Sequence, residues 1–299
     1  MLKAMSYGAI LWDIMGDEKH IGGCTLNLVA HLGKLGMKSF MYTKLGCDEL
    51  GKEALRELGH LGVDTSFVQT DVTKNTGYAK ITLDDDKVPA YQFASNASHE
   101  YIEVDEEQIE RIKEAKIDIF CYGTYCQSGE QTRKNLLRIL NECSFPCVFC
   151  DINLRVANPS AELLEGSLQY ADILKLNDDE VIVLSGVLYG GELEEKELIE
   201  KIFRDYKIKL VCVTKGAAGC RIYDENGSGT FVAANPVEAV DTVGAGDAFS
   251  AGFIYSYYQG LPINQCGENG NLLGGYVASQ KGAIPEYSEK IKAHFEEVR

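Results

Sequence analysis

Short apolar runs and segments of helical period alternate along most of this 299-residue chain, and that alternation restricts the fold more than any single motif. The strand candidates are Ser6–Asp13, Ser39–Leu45, Asp118–Tyr122, Cys147–Ile152, Ile173–Leu176 and Leu210–Thr214. Between them lie amphipathic segments at Leu26–Leu35, Asp48–Leu61, Asp105–Ala115, Thr132–Glu142, Glu162–Tyr170 and Glu192–Tyr206. Continuously apolar strands need cover on both faces, and a helix between consecutive strands permits parallel pairing. The expected fold class is α/β, a mostly parallel, doubly wound sheet between two helical layers. No linker rich in Pro, Gly or Ser divides the sequence and no internal repeat is visible, so residues 1–299 are expected to form a single domain.

One region breaks the rhythm. Thr76–Ser95, TGYAKITLDDDKVPAYQFAS, reads as a strand, an acidic turn at Asp84–Lys87 and a second strand, with no helix between them. Such a hairpin is expected outside the main sheet, as a flap. The Asp84-Asp85-Asp86 run lacks the spaced ligands and the glycine of an EF-hand and reads as a solvated turn.

Charge and composition exclude several roles. With 29 Lys and Arg against 45 Asp and Glu, the formal charge of −16 argues against a nucleic-acid or anionic-membrane surface. No apolar run of transmembrane length occurs, and the apolar part of the N-terminal stretch reads as a first buried strand rather than a signal peptide. The ten cysteines form no matched CxxC pairs, and none of the five histidines (His20, His31, His60, His99, His294) falls at ligand spacing from them. Cys147, Cys150 and Cys212 sit inside apolar strand-like runs, where a thiol packs as a small hydrophobe. Reduced cysteines in a cytoplasmic protein are the expectation.

Open parallel sheets bind ligands outside the carboxyl ends of their strands. The polar residues expected there are Asp13, Asp151, Asn153, Arg155, Asn177, Glu180 and the run Thr214-Lys215-Gly216. Each alone also reads as a turn or helix cap. Their common position describes one crevice.

Two glycine motifs fail. GCDELGKE (Gly46–Glu53) matches the outline of a P-loop, but Glu53 stands where a Mg²⁺-binding hydroxyl belongs, and Asp48 and Glu49 would repel phosphate. It reads as a helix start with acidic first-turn residues. GAGDAF (Gly244–Phe249) lacks the third glycine of a dinucleotide fingerprint and lies far from the first strand. Within VDTVGAGDAFSAGF (Val240–Phe253), however, Gly244-Ala245-Gly246 opens a segment apolar almost all round, hence a buried helix. Free amides and the positive end of the helix dipole can hold an anion there without a lysine. Asp247 then faces an acceptor hydroxyl as a proton acceptor. The other reading is an acidic first turn that complements the dipole.

DTVGAGDAFSAGF resembles the C-terminal signature of the ribokinase-like (PfkB) carbohydrate kinases. IGGCTLNLVAHLGKLG (Ile21–Gly36) looks like that family's sugar-binding motif, KLNDDE like its Asn-x-x-Glu motif, TKGAAGC like its Thr-x-Gly-x-x-Gly motif, and GAIP (Gly282–Pro285) like its C-terminal loop. The resemblance covers nearly the whole chain. It implies a ribokinase-like fold with a small β-lid made of residues 76–95 and the segment around 13–21. It implies Asp247 as catalytic base, Gly244, Ala245 and Gly246 as an anion hole, and Arg155 on a phosphate oxygen. Asp13, Gly22, Gly23 and Asn27 would hold sugar hydroxyls. Asn177, Thr214, Gly216, Gly219 and Asn271 would serve the nucleotide, with Asn177 and Glu180 organising Mg²⁺ through water. Asp241, the Val243 carbonyl and the loop at Ala283 would be K⁺ candidates. The resemblance further implies ATP as co-substrate and a homodimer through the lid.

Cys24 follows the Gly-Gly pair where the ribokinase and phosphofructokinase branches usually carry lysine, so a second sugar phosphate has no partner. AYQF (Ala90–Phe93) lacks the arginine with which ketodeoxygluconate kinases hold the sugar carboxylate. AILWD and GGCTLNLVAHLGKLG look most like bacterial fructokinases, although CTL departs from their usual APA. The expected reaction is phosphorylation of a neutral ketose, fructose at its 6-hydroxyl. Ribose, ketodeoxygluconate or a nucleoside is the alternative acceptor, and a non-catalytic sugar- or nucleotide-binding regulator the alternative class.

Overall fold

The computed structural model describes residues 1–83, 89–155 and 158–298, so the acidic turn Asp84–Lys87 lies outside the described residues. In chain order the first strands are β1 (Lys3–Tyr7), β2 (Leu11–Met15), β3 (Glu18–Gly22), β4 (Lys38–Gly46) and β5 (Val68–Asp71). β6 (Gly77–Leu83) and β7 (Pro89–Phe93) follow, then β8 (Ile119–Gly123), β9 (Cys147–Asp151), β10 (Ile173–Asn177), β11 (Leu210–Thr214), β12 (Gly219–Asp224) and β13 (Gly229–Ala233). The helices are α1 (Cys24–Lys34), α2 (Glu49–His60), α3 (Glu106–Ala115), α4 (Glu130–Glu142) and α5 (Ala161–Leu168). Beyond them come α6 (Asp178–Tyr189), α7 (Glu195–Asp205), α8 (Ala245–Tyr258), α9 (Ile263–Ala278) and α10 (Glu289–Val298).

Among the described residues, nine strands form one sheet in the order β13-β12-β11-β10-β9-β8-β1-β4-β5. The pairs from β11 through to β5 are parallel, and β12 and β13 add an antiparallel edge. Alternate residues of the central strands feed two apolar clusters. Ala4, Ile119, Phe149 and Cys212 face the side covered by α1, α8 and α9, while Met5, Phe120, Cys150 and Val211 face that of α3 to α7. The three-layer α/β/α expectation is met.

The second sheet, β3-β2-β6-β7, is the lid. It corrects one expected element. Ser6–Asp13 is not one strand: β1 ends at Tyr7, and the chain crosses Gly8–Ile10 into β2 of the lid, so Asp13 does not end a main-sheet strand. The break is forced by the approach of α1. A Cβ on Gly8 would stand 2.5 Å from the Thr25 hydroxyl, and one on Gly23 2.4 Å from the Ala9 carbonyl oxygen. Gly23 also has φ 115°, open only to glycine at little cost.

Helices α6 and α9 were not evident in the sequence. DDEVIVLSGVLY is apolar without a clear period, and what starts α6 is a reciprocal cap. The Asn177 side chain accepts from the Glu180 N–H at 2.8 Å, and the Glu180 carboxylate accepts from the Asn177 N–H at 2.9 Å. INQCGENGNLLGGYVA is rich in glycine, which opposes a helix by intrinsic propensity. Contact with α8 overrides it: a Cβ on Gly270 would lie 2.8 Å from the Phe249 ring, and one on Gly274 2.9 Å from the Ala245 carbonyl oxygen.

Candidate active site

A cavity of about 460 Å³ opens at the carboxyl ends of the central strands, beneath the lid. One of its walls is the start of α8. Gly244 caps that helix with φ 76°, and a Cβ there would stand 2.6 Å from the Ala283 Cβ, so only glycine fits. The Ala245 N–H meets the Thr242 carbonyl at 3.2 Å. As first-turn residues, Gly246 and Asp247 have no intrahelical acceptor for their amides.

Asp247 is 8% exposed and accepts a hydrogen bond from Asn27 Nδ2 at 2.7 Å. Burial, and then the neighbouring Asp151 carboxylate, push its pKa up to about 7, while the Asn27 bond, Lys175 and Arg155 oppose the shift. A carboxylate poised near neutrality suits proton transfer.

Behind this turn lies a residue that sequence reasoning missed. Lys175, inside the apolar strand β10, is buried and donates to both Asp151 oxygens at 2.9 Å. A Cβ on Gly246 would come within 3.5 Å of its ammonium. Burial alone would discharge Lys175, but the charges of Asp151, Glu180 and Asp247 outweigh it and hold the ammonium above its ordinary pKa. The one signal of Lys175 in the sequence is a cation in the middle of ILKLN.

The sugar-motif residues converge on the same space. Asp13 reaches the cavity from β2, and burial raises its pKa against the opposing charges of Arg155 and His20. Gly22 stands outside the cavity lining, but a Cβ on it would lie 3.2 Å from Asp13 Oδ2 and 4.0 Å from Asn27 Oδ1, so both oxygens lie close to it. Asn27 Oδ1 is buried and has no hydrogen-bond partner, an acceptor aimed where a hydroxyl can donate. Cys24 lines the cavity at the first residue of α1, and burial pushes its thiol pKa up, with Asp247 and Asp151 adding to the shift. Arg155 also lines the cavity, after Asn153, which takes φ 40°. Leu11 and Phe93, within the AILWD and AYQF segments, join Tyr125 and Cys126, which carried no motif, in an apolar wall.

On the other flank, Asn177, Glu180 and Thr214 line the cavity. Besides its tie to Asn177, the Glu180 carboxylate accepts from the Leu154 N–H at 2.8 Å. Burial raises its pKa, and Lys175 and the backbone bonds oppose that shift. Gly216, Gly219 and Asn271 stand outside the cavity lining. Asn271 Nδ2 donates to the Val232 carbonyl at 3.0 Å, and a Cβ on Gly219 would collide with that same oxygen at 2.1 Å. Val243 lines the cavity, whereas Asp241, Ala245 and Ala283 stand behind it. The Asp241 carboxylate accepts from the Val243 and Gly282 N–H groups, both at 3.0 Å, and the Ala283 carbonyl meets His31 Nε2 at 2.9 Å. Two of the K⁺ candidates, the Asp241 carboxylate and the Ala283 carbonyl, therefore have partners within the protein. Among the described residues no group of three or more His, Cys, Asp or Glu side chains could hold a metal ion.

The rejected P-loop outline is structural. Asp48 caps α2 by accepting from the Gly51 N–H at 3.0 Å and binds the Thr76 hydroxyl at 2.7 Å, at the root of the lid. Glu53 pairs with Lys19 of the lid. All ten cysteines are free, eight of them buried, and no helix among the described residues is long and apolar enough to cross a membrane.

With this geometry in view, comparison with known proteins gives a consistent result. The family described as pfkB family carbohydrate kinase matches residues 5–290. The Arabidopsis thaliana protein named "Probable fructokinase-5" is 31% identical over 292 residues, covering 93% of this chain and 88% of that relative. A fructokinase from Xylella fastidiosa, solved with bound ATP, superposes with a TM-score of 0.82 at 19% identity, covering 99% of this chain and 97% of that one. The E. coli protein named "putative Ribokinase II", solved with ATP and Mg²⁺, gives a TM-score of 0.83 at 21% identity, covering 100% of this chain and 99% of that one.

Proposed function

This chain belongs to the pfkB family of carbohydrate kinases, and on that premise we propose that it transfers the γ-phosphoryl group of ATP to the 6-hydroxyl of fructose. The observation that carries this reading is the 2.7 Å bond from Asn27 to Asp247, which joins the sugar motif to the glycine turn across 220 residues of sequence. Asp13 and the unpaired Asn27 Oδ1 hold sugar hydroxyls, and the acceptor hydroxyl lies against Asp247. Asp247 takes its proton as the phosphoryl group moves. Late proton removal suffices, because the transition state of phosphoryl transfer is loose. The amides at Gly244 and Gly246 stabilise charge on the transferred group, that of Ala245 being held by the Thr242 carbonyl at 3.2 Å, and Arg155 meets a phosphate oxygen. The buried Lys175 offsets the Asp151 carboxylate behind that turn.

ATP enters over Asn177, Glu180 and Thr214, with Gly216, Gly219 and Asn271 shaping the more distant part of the nucleotide site. Mg²⁺ neutralises the phosphates when bound. Asn177 and Glu180 fit a role through water, since the Glu180 carboxylate is buried beside the cavity and already held by two backbone N–H groups. Asp241, Val243 and Ala283 fit K⁺ less well, because the Asp241 carboxylate and the Ala283 carbonyl have protein partners.

The absence of a lysine at Cys24 favours a neutral sugar over a sugar phosphate. The test is a panel of fructose, ribose, ketodeoxygluconate and a nucleoside, with ADP release measured for each. Fructose should give the highest kcat/KM, and a higher value for another acceptor replaces it as the substrate. The chain works as one domain in the cytoplasm, consistent with ten free cysteines. It pairs as a homodimer through the lid, where Met15, Tyr78 and Phe93 are exposed. Sedimentation showing only monomer removes that last element.

A further inference from the structure

Helix α1 carries a second buried polar side chain one turn after Asn27. His31 has no exposed surface and bonds to two groups of the C-terminal loop, the Ala283 carbonyl at 2.9 Å through Nε2 and the Tyr287 hydroxyl at 2.7 Å through Nδ1. A carbonyl only accepts, so Nε2 carries a proton and donates it to Ala283. Burial lowers the pKa of the ring to about 4 and so keeps it neutral, and Nδ1 accepts from the Tyr287 hydroxyl.

Ala283 lies between this imidazole and the phosphoryl site. A Cβ on Gly244 would stand 2.6 Å from the Ala283 Cβ and 2.9 Å from its carbonyl oxygen, so the Ala283 peptide is the wall against which α8 begins. Asp241 fixes the preceding residue by accepting from the Gly282 N–H at 3.0 Å. Asn27 and His31, at positions i and i+4, share one face of α1. The first holds the side chain of Asp247 and the second holds the backbone behind Gly244. One helix face thus sets both parts of the turn.

We propose that His31 is a positioning residue for phosphoryl transfer: its imidazole holds the Ala283 carbonyl and so keeps the first-turn amides of α8 aimed at the transferred group. The proposal deepens the kinase reading and rests on it. Loss of the Ala283 bond should lower kcat and leave sugar binding, which depends on Asp13 and Asn27, nearly intact.

The test compares His31→Gln with His31→Asn in the full chain, with kcat, sugar KM and melting temperature measured for each. Gln reaches the Ala283 carbonyl with an amide N–H, whereas Asn stops short of it and keeps only Tyr287. His31→Gln should keep kcat within about threefold of wild type, and His31→Asn should lose about ten- to a hundredfold in kcat with sugar KM changed less than about threefold. Tyr287→Phe, which removes the hydroxyl at Nδ1 and leaves the Ala283 bond, should keep kcat within about threefold of wild type, and it carries the test where His31→Asn does not fold. Wild-type kcat in His31→Asn overturns the proposal, and so does a loss of kcat of about tenfold or more in Tyr287→Phe where that variant carries the test. So does a parallel loss in the Gln and Asn variants that tracks melting temperature. An Asp247→Asn variant run alongside separates the two levels: if it keeps full activity the kinase reading of the turn fails, and if it is inactive while His31→Asn is normal only the His31 inference fails.

Discussion

Replacing Asn27 by Ala should move the acid limb of the pH–rate profile upward. Asn27 donates to the Asp247 carboxylate at 2.7 Å, and both residues are buried. A hydrogen bond to a buried charge contributes about 1.5–3 kcal/mol to the charged form. At about 1.4 kcal/mol per pKa unit, its removal raises the Asp247 pKa by about 1–2 units. The starting value is about 7. A base works only when ionised, so kcat/KM rises with pH through the pKa of the free enzyme. In wild type the base is half ionised near pH 7, and in Asn27→Ala the half-point should lie about 1–2 units higher. At pH 7 ionisation alone then costs roughly 5- to 50-fold in kcat/KM, and this loss is recovered at alkaline pH. Any loss from the missing sugar contact persists at every pH, which separates the two effects. The assay is chromatographic ADP release at saturating ATP and low sugar across pH 6 to 10, in wild type and variant. An Asn27→Ala limb that coincides with wild type, or moves to lower pH, refutes the assignment of Asp247 as the titrating base held charged by Asn27.

Two further outcomes follow from the same turn. The folded-state pKa of Asp247 is raised from 3.8 to about 7, so the native state binds a proton that the unfolded chain releases, and wild type carries the cost of a buried charge above neutrality. Asp247→Asn should therefore be more stable than wild type at pH 8, by up to about 4 kcal/mol in urea unfolding, with the difference shrinking towards pH 4. Equal stability at both pH values contradicts that. Gly244→Ala places a Cβ at φ 76° against Ala283 and should lose at least about a hundredfold in kcat through displaced amides, whereas kcat within about threefold of wild type shows that the wall at Ala283 does not matter.

Much of this site was legible because its signals are local. Gly244 and Gly246 announce a close approach of backbone, Asp247 follows them into an apolar helix, and Gly23 marks the start of another. All but one of the parallel strands were legible for the same reason, as continuous apolar runs; β5, VQTD, is polar and gave no such signal. What escaped depends on contacts between distant segments. The bond between Asn27 and Asp247 joins two motifs that the sequence keeps apart. Lys175 reads as an anomaly within ILKLN until Asp151 on the adjacent strand supplies its partner. Nothing in INQCGENGNLLGGYVA predicts a helix, because its glycines serve contact with α8 rather than intrinsic propensity. Ser6–Asp13 looked continuous because the crossing into the lid is itself apolar, and only the approach of Thr25 and Gly23 breaks it. The β12–β13 hairpin did carry a local signal, Asn226-Gly227 between two alternating runs, with Gly227 at φ 74°.

The central claim is that Asp247 accepts the proton of a sugar hydroxyl during phosphoryl transfer from ATP. It is tested most directly by fructose-dependent ADP release in wild type and Asp247→Asn, with ATP affinity measured by calorimetry on both proteins. The account predicts ADP release that requires the sugar, a loss of at least about a thousandfold in kcat for Asp247→Asn, and ATP affinity unchanged within about threefold. Near wild-type turnover in Asp247→Asn, or no sugar-dependent ADP release from the wild-type protein with any acceptor of the panel, would contradict it.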